Sequence, residues 1–232
     1  MIEFKKPADA VQQSGIKMLI YGPPGVGKTL FCCSSGDKTL LISAEAGLLS
    51  IKDTSAPVEV YEIHTYDQLV TIYQHLKAGT DFKTVAIDSI SEVAEVVLAL
   101  EMKNEKHALR AFGEMATKVL SMVRAFRDLQ GYDVVLTCKS EKTQDENSRL
   151  LFGPSTPGQK VATALPYYFD LVGAMRIDRD SEGNFNHWLQ CRGDGQYIAK
   201  DRSGRLDHFE EPNLAQIKAK ILGLQSTSKK AA

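Results

Sequence analysis

Apolar residues in this chain fall into short runs set at two different spacings. Residues 16–21, 39–44, 84–87 and 132–138 are continuous apolar stretches, as expected of strands covered on both faces. Residues 58–64 alternate apolar and polar positions and predict a further strand. Between them the spacing turns helical. Residues 66–77 place Leu69, Ile72, Tyr73 and Leu76 on one face; 89–106 opens on Ser89, a residue suited to an N-cap; and 112–129 runs out before Gly131. A shorter helix over 27–35 is broken by Ser34-Ser35-Gly36-Asp37. Strands alternating with helices predict a parallel sheet with helices on both faces.

The second half reads differently. Residues 171–178 and 184–191 are strand-like and separated by Arg179-Asp180-Ser181-Glu182-Gly183, a hairpin signal. Residues 197–200 predict another short strand and 212–224 a closing helix. The expected architecture is α/β: one domain over 1–224, mostly parallel, with antiparallel strands at the C-terminal end, and a disordered tail over 225–232. Residues 139–166 show little periodicity and contain Gly153-Pro154 and Pro157-Gly158. A loop of that length inside a compact domain is functional or disordered.

Composition adds mainly exclusions. The chain has 232 residues, 43% of them hydrophobic and 25% charged, as in ordinary globular proteins. No apolar run reaches the roughly 18 residues of a membrane span, and residues 1–7 lack a signal-peptide core. A cytoplasmic protein with no membrane partner is expected. Cys32, Cys33, Cys138 and Cys191 have no zinc-ligand spacing and read as buried reduced thiols. The histidines receive no role. A net charge of −1 gives no general support for nucleic-acid binding, so any such site must be a local patch.

One segment carries specific chemistry. Gly22-Pro23-Pro24-Gly25-Val26-Gly27-Lys28-Thr29 matches G-x-x-x-x-G-K-[ST] and sits after a strand and before a helix. Its glycines let backbone N–H groups face phosphates. Lys28 is the candidate bridge to the β- and γ-phosphates of ATP, Thr29 supplies a hydroxyl to Mg2+, and Leu30 completes the contact segment. Asp88 ends a buried strand where sheet ligands bind and is the second candidate for magnesium, held through water. The residue after it is Ser89, not a glutamate, so a water-activating base must come from elsewhere. Glu45, at the end of residues 39–44, is that candidate, with Glu92 the weaker alternative. Lys139 and Ser140, at the end of residues 132–138, are placed to sense the γ-phosphate. Lys200 and Arg202 lie two residues apart, on one face of an extended segment, and suit a pair of fingers reaching a neighbour's phosphate.

Together these residues resemble the RecA/DnaB class of P-loop ATPases. Ile42-Ser43-Ala44-Glu45-Ala46 is similar to the RecA segment with the catalytic glutamate, and Ile198-Ala199-Lys200-Asp201-Arg202-Ser203-Gly204 to the lysine-and-arginine finger of DnaB-type helicases, which acts across a subunit boundary. From residue 16 to 224 the order of parts, with Gly158-Gln159-Lys160 and Phe169-Asp170-Leu171-Val172, resembles the AAA-type phage nucleotide-binding proteins that include the Sak-type RecA-like recombination ATPases. Lys139 departs from that pattern, which often has histidine there, or glutamine in RecA. The resemblance implies a RecA-like fold and a DNA-dependent ATPase in recombination or single-strand annealing, working as a ring or filament in a phage-infected bacterial cell, with a phage single-strand-binding protein as a further partner. It also implies single-stranded DNA binding by loops near 102–113 and 141–160, where Lys142, Arg149 and Lys160 could meet phosphates and Phe152 could stack on a base; Glu141, Asp145 and Glu146 offset the cations. A replication accessory ATPase, helicase or loader, is the alternative. A small-molecule kinase would share the phosphate loop but usually carries an arginine-bearing lid, and residues 139–166 hold only Arg149.

Overall fold

The protein is described from a computed structural model that covers residues 6, 9, 13–45, 47–144, 146–180 and 182–224. The expected tail at 225–232 lies outside the described residues, as do Ala46 and Asp145.

The central strand is β1 (Lys17–Gly22), buried along its whole length. Parallel to it on one side run β5 (Asp133–Gln144), β4 (Thr84–Asp88), β2 (Thr39–Ser43) and β3 (Val58–Glu62), in that order. On the other side β7 (Leu171–Arg179) is parallel, then β8 (Phe185–Gln190) and the two-residue β10 (Phe209–Glu210) are antiparallel. The expected change from parallel to antiparallel pairing is present. It begins at the hairpin after β7, where no crossover helix intervenes.

Alternation along the strands splits the core in two. Leu19, Tyr21, Val85, Ile87, Val134 and Leu136 point toward α2 (Tyr66–Lys77), α3 (Ile90–Asn104), α4 (Ala108–Arg127) and α5 (Gln159–Tyr168). Met18, Ile20, Leu41, Ala86 and Val135 point the other way, toward α1 (Lys28–Cys33) and α6 (Leu214–Leu222). Burial on both faces explains why these strands read as unbroken apolar runs. Ser89 caps α3 by accepting from the Glu92 N–H, and Thr65 with Gln68 forms a capping box on α2.

The segment 139–166 is more ordered than its sequence pattern predicts. β5 continues to Gln144 and folds back through β6 (Leu150–Ser155), register Lys142 against Phe152; α5 follows. The arm of β5 beyond Lys139 is polar on both faces, so it has no apolar period to detect. Pro154 is tolerated because β6 pairs with β5 alone in the sheet path. Residues 102–113, expected as a loop, are mostly the end of α3 and the start of α4. The strand expected at 197–200 is β9 (Lys200–Asp201), antiparallel to β7.

At the end of β1 remote from the phosphate motif, Lys17 is 5% exposed, and its ammonium donates to the carbonyls of Leu129 at 2.9 Å, Tyr132 at 2.7 Å and Ser14. Burial pushes its pKa down to about 8, against the pull of Asp133, Asp170 and Asp128. Because the folded pKa is the lower one, the unfolded chain binds more protons between pH 8 and 10.5. Wild-type stability should therefore rise across that window by about 3 kcal/mol relative to Lys17→Met, from this group alone. Denaturant unfolding of both proteins at pH 7.5 and 10.5 measures the difference, and equal pH dependence would contradict it.

Candidate nucleotide site

The phosphate loop begins where β1 ends. Gly22 lies beside Lys139 of β5, and a Cβ there would stand 2.9 Å from the Met175 carbonyl oxygen, so the close approach requires glycine. Gly25 and Gly27 have φ of 75° and 98°, the left-handed conformation that turns the loop into α1. Val26 is fully buried under the loop. Lys28 folds back across it, its Nζ donating to the carbonyls of Gly22 and Pro23 at 3.0 Å each. Burial lowers the Lys28 pKa, and the charges of Asp88 and Glu45 oppose that shift.

A buried polar cluster adjoins the loop. Thr29 donates to Asp88 Oδ2 at 2.6 Å, and the Thr137 hydroxyl donates to Asp88 Oδ1. Asp88 is 6% exposed and Thr137 fully buried. The next residue, Ser89, donates to Glu45 Oε1, and Ser43 donates to the Glu45 carbonyl at 2.6 Å. Two residues on, Ser91 donates to the Ser155 carbonyl at 2.7 Å and accepts from the Lys139 N–H at 2.9 Å. The turn from β4 into α3 thus ties the loop, β2, β5 and β6 together.

The sites expected from the sequence fall into three groups. Lys28, Thr29, Asp88 and Glu45 come together at the carboxyl ends of β1, β4 and β2. Lys139 reaches the same rim by its backbone, but its ammonium pairs with Glu95 at 2.7 Å and Glu92 at 3.1 Å on α3. The Glu95 bond, against burial and with Glu92 adding to it, pushes Lys139 up to about 12. Glu92, the weaker candidate base, is occupied by that pair. Lys200 and Arg202 lie elsewhere. Lys200 pairs with Val172, itself beside Leu19, three residues short of Gly22, or about 10 Å down the strand. Burial, then the neighbouring Arg202, lowers the Lys200 pKa. Arg202 bonds to the Tyr167 carbonyl at 3.0 Å and Asp170 at 3.4 Å.

Of the candidate DNA contacts, Lys142 and Phe152 face each other across the β5–β6 pair, Arg149 immediately precedes β6, and Lys160 is in the first turn of α5. Phe152 is already stacked on Tyr197, ring centroids 4.5 Å apart and 9° from parallel. Two site residues escaped the sequence reading. Thr137 left a signal, a hydroxyl inside an apolar run. His187, whose Nδ1 is 3.1 Å from the Val26 carbonyl oxygen, left none, because its contact depends on how β8 is laid beside the loop.

The donor set fits nucleotide and magnesium. The loop offers glycine-borne backbone and a lysine, and the facing pair Thr29–Asp88 presents hydroxyl and carboxylate oxygens, as suits a hard cation that keeps most of its water. Among the described residues no group of three or more His, Cys, Asp or Glu side chains could hold a metal ion. A family model described as AAA domain matches residues 14–203, most of the chain and all the residues above. The chain belongs to this AAA domain family. Membership implies ATP binding and, in general, nucleotide hydrolysis, usually with Mg2+. Comparison with curated proteins gave no match. Among the described residues of this AAA domain no helix is long and apolar enough to cross a membrane.

Proposed function

We propose that this AAA domain is a RecA-like, DNA-dependent ATPase of phage recombination or single-strand annealing, with ATP shared between subunits of an oligomer. The observation that carries the hydrolytic reading is the Ser89–Glu45 hydrogen bond, which holds a carboxylate beside Asp88. Glu45 is there to orient and deprotonate the attacking water. Lys28 binds and orients the phosphates, while Thr29 and Asp88 would hold Mg2+, which would neutralise phosphate charge. Thr137 fixes the Asp88 carboxylate from the far side.

The oligomeric part is supported by the position of Lys200 and Arg202. They lie below their own phosphate loop, so as phosphate contacts they would act on a neighbour's site. Arg202 would then exchange Asp170 for phosphate. The polar β5–β6 hairpin, with Lys142 and Phe152, is the proposed contact with single-stranded DNA.

ATP hydrolysis measured with and without single-stranded DNA, over a range of protein concentrations, tests the reading. Specific activity should rise with concentration and with DNA. In Lys200→Ala it should fall by about 10³-fold, the lower range for a finger supplied in trans, with ATP binding retained. Turnover indifferent to DNA, concentration and Lys200 would leave the nucleotide site standing and remove the shared-site reading.

A further inference from the structure

A cavity of about 250 Å3 opens at the lip of the phosphate loop, on the side of β1 that faces β7 and the β5–β6 hairpin. Gly22 and Pro23 form one edge, and Ser140, Phe152, Arg176, Asp178 and Tyr197 supply the distinctive walls. Gly22 and Pro23 are the two residues whose carbonyls hold Lys28, so the cavity adjoins the phosphate loop itself. Of its walls, the reading above uses only Phe152, as part of the hairpin that meets single-stranded DNA.

Its walls are unusual in being planar and already ordered. Phe152 and Tyr197 are stacked, and the Arg176 guanidinium lies 4.5 Å from the Tyr197 ring centre and 5.5 Å from that of Phe209. Arg176 is held in place by Gln190, which is fully buried and accepts from it at 2.9 Å. The Tyr21 hydroxyl donates to the Phe152 carbonyl at 3.0 Å, and the Ile198 N–H donates to the same oxygen at 3.0 Å, so the backbone under the stack is fixed from two sides. Among the described residues Asp178 is the only carboxylate on the wall, and it is 3.7 Å from Arg176. Flat aromatic surface with hydrogen-bonding groups at its edge suits a flat heterocycle with a polar edge. It suits a bare phosphate poorly, because Asp178 shares the only wall cation.

We infer that this cavity receives an unpaired nucleobase of the bound single strand, stacked against the Phe152–Tyr197 pair with its polar edge toward Ser140, Arg176 and Asp178. The inference rests on the DNA-dependent reading above and adds to it the place where a base meets the nucleotide site. A strand following the β5–β6 hairpin by its phosphates would insert one base at the loop's edge. Occupancy would then be felt at Pro23 directly, without any rearrangement of the sheet.

Binding of two labelled strands of equal length, oligo(dT) and its fully abasic counterpart, to the full chain with ATP present tests the inference. Wild type should prefer oligo(dT) by about five- to a hundredfold, the range for a base stacked on an aromatic side chain. Phe152→Leu and Tyr197→Leu should each bring that preference close to one while leaving the salt dependence of binding, set by phosphate contacts, unchanged. Thermal melting establishes that each variant is folded, and with two variants the comparison survives the loss of either. A wild-type preference that persists in both variants would overturn the base site while the DNA reading stands. No wild-type preference for bases would overturn it too. Absence of binding to either strand would overturn both, and so would saturable binding of free dTMP in the cavity with no binding of the strand.

Discussion

Replacing Lys28 with alanine should lower kcat/KM for ATP hydrolysis by at least about a hundredfold, the cost typical of removing one positioned charge from a developing anion. The side chain lies across the loop, with the Gly22 and Pro23 carbonyls holding its ammonium at the mouth. Its neighbours make it hard to replace. Burial disfavours its charge, and Asp88 and Glu45 are foremost in opposing that, so a substitute that does not reach the same point leaves two carboxylates facing incoming phosphate. Phosphate release measured beside binding of a fluorescent ATP analogue separates chemistry from affinity. Near-normal turnover in Lys28→Ala would mean that the loop does not carry the reaction.

Glu45→Gln should be nearly as damaging, and more selectively. A positioned base is worth about 10²–10⁴ in rate, so kcat should fall by that factor while KM moves by no more than a fewfold. The amide keeps an oxygen for the Ser89 hydroxyl, so the local fold is preserved and only the proton acceptor is lost. Steady-state kinetics of the two proteins decide the matter. Unchanged kcat would point away from Glu45, and the Glu92 carboxylate, engaged by Lys139, would have to break that pair to take its place.

Much of this site was legible because two constraints act locally. Turning backbone toward phosphate needs glycine at fixed spacing, and burying a strand on both faces needs an apolar run, so Gly22 to Thr29 and Asp88 stood out on sequence alone. Glu45 was legible for a related reason, as the charge that follows an apolar strand. What could not be read is what depends on distance between elements. Lys139 follows the apolar run of β5 as expected, yet its side chain is claimed by two glutamates one helical turn apart on α3. Phe152 sits in a segment without apolar period, and its partner Tyr197 is far along the chain. His187 reaches the loop only because β8 turns back along β7. The extent of β6 was hidden by its polar partner strand, which no hydrophobic pattern marks.

β5 passes without a break from Val134 in the core, past Thr137 against Asp88, to Gln144 in the hairpin. From Thr137 to Gln144 is about 23 Å of continuous strand. One piece of backbone therefore joins the hairpin, where it pairs with β6, to the ladder between β1 and β4 where Thr137 meets the Asp88 carboxylate. Whatever orders the hairpin acts on the same strand that fixes Asp88.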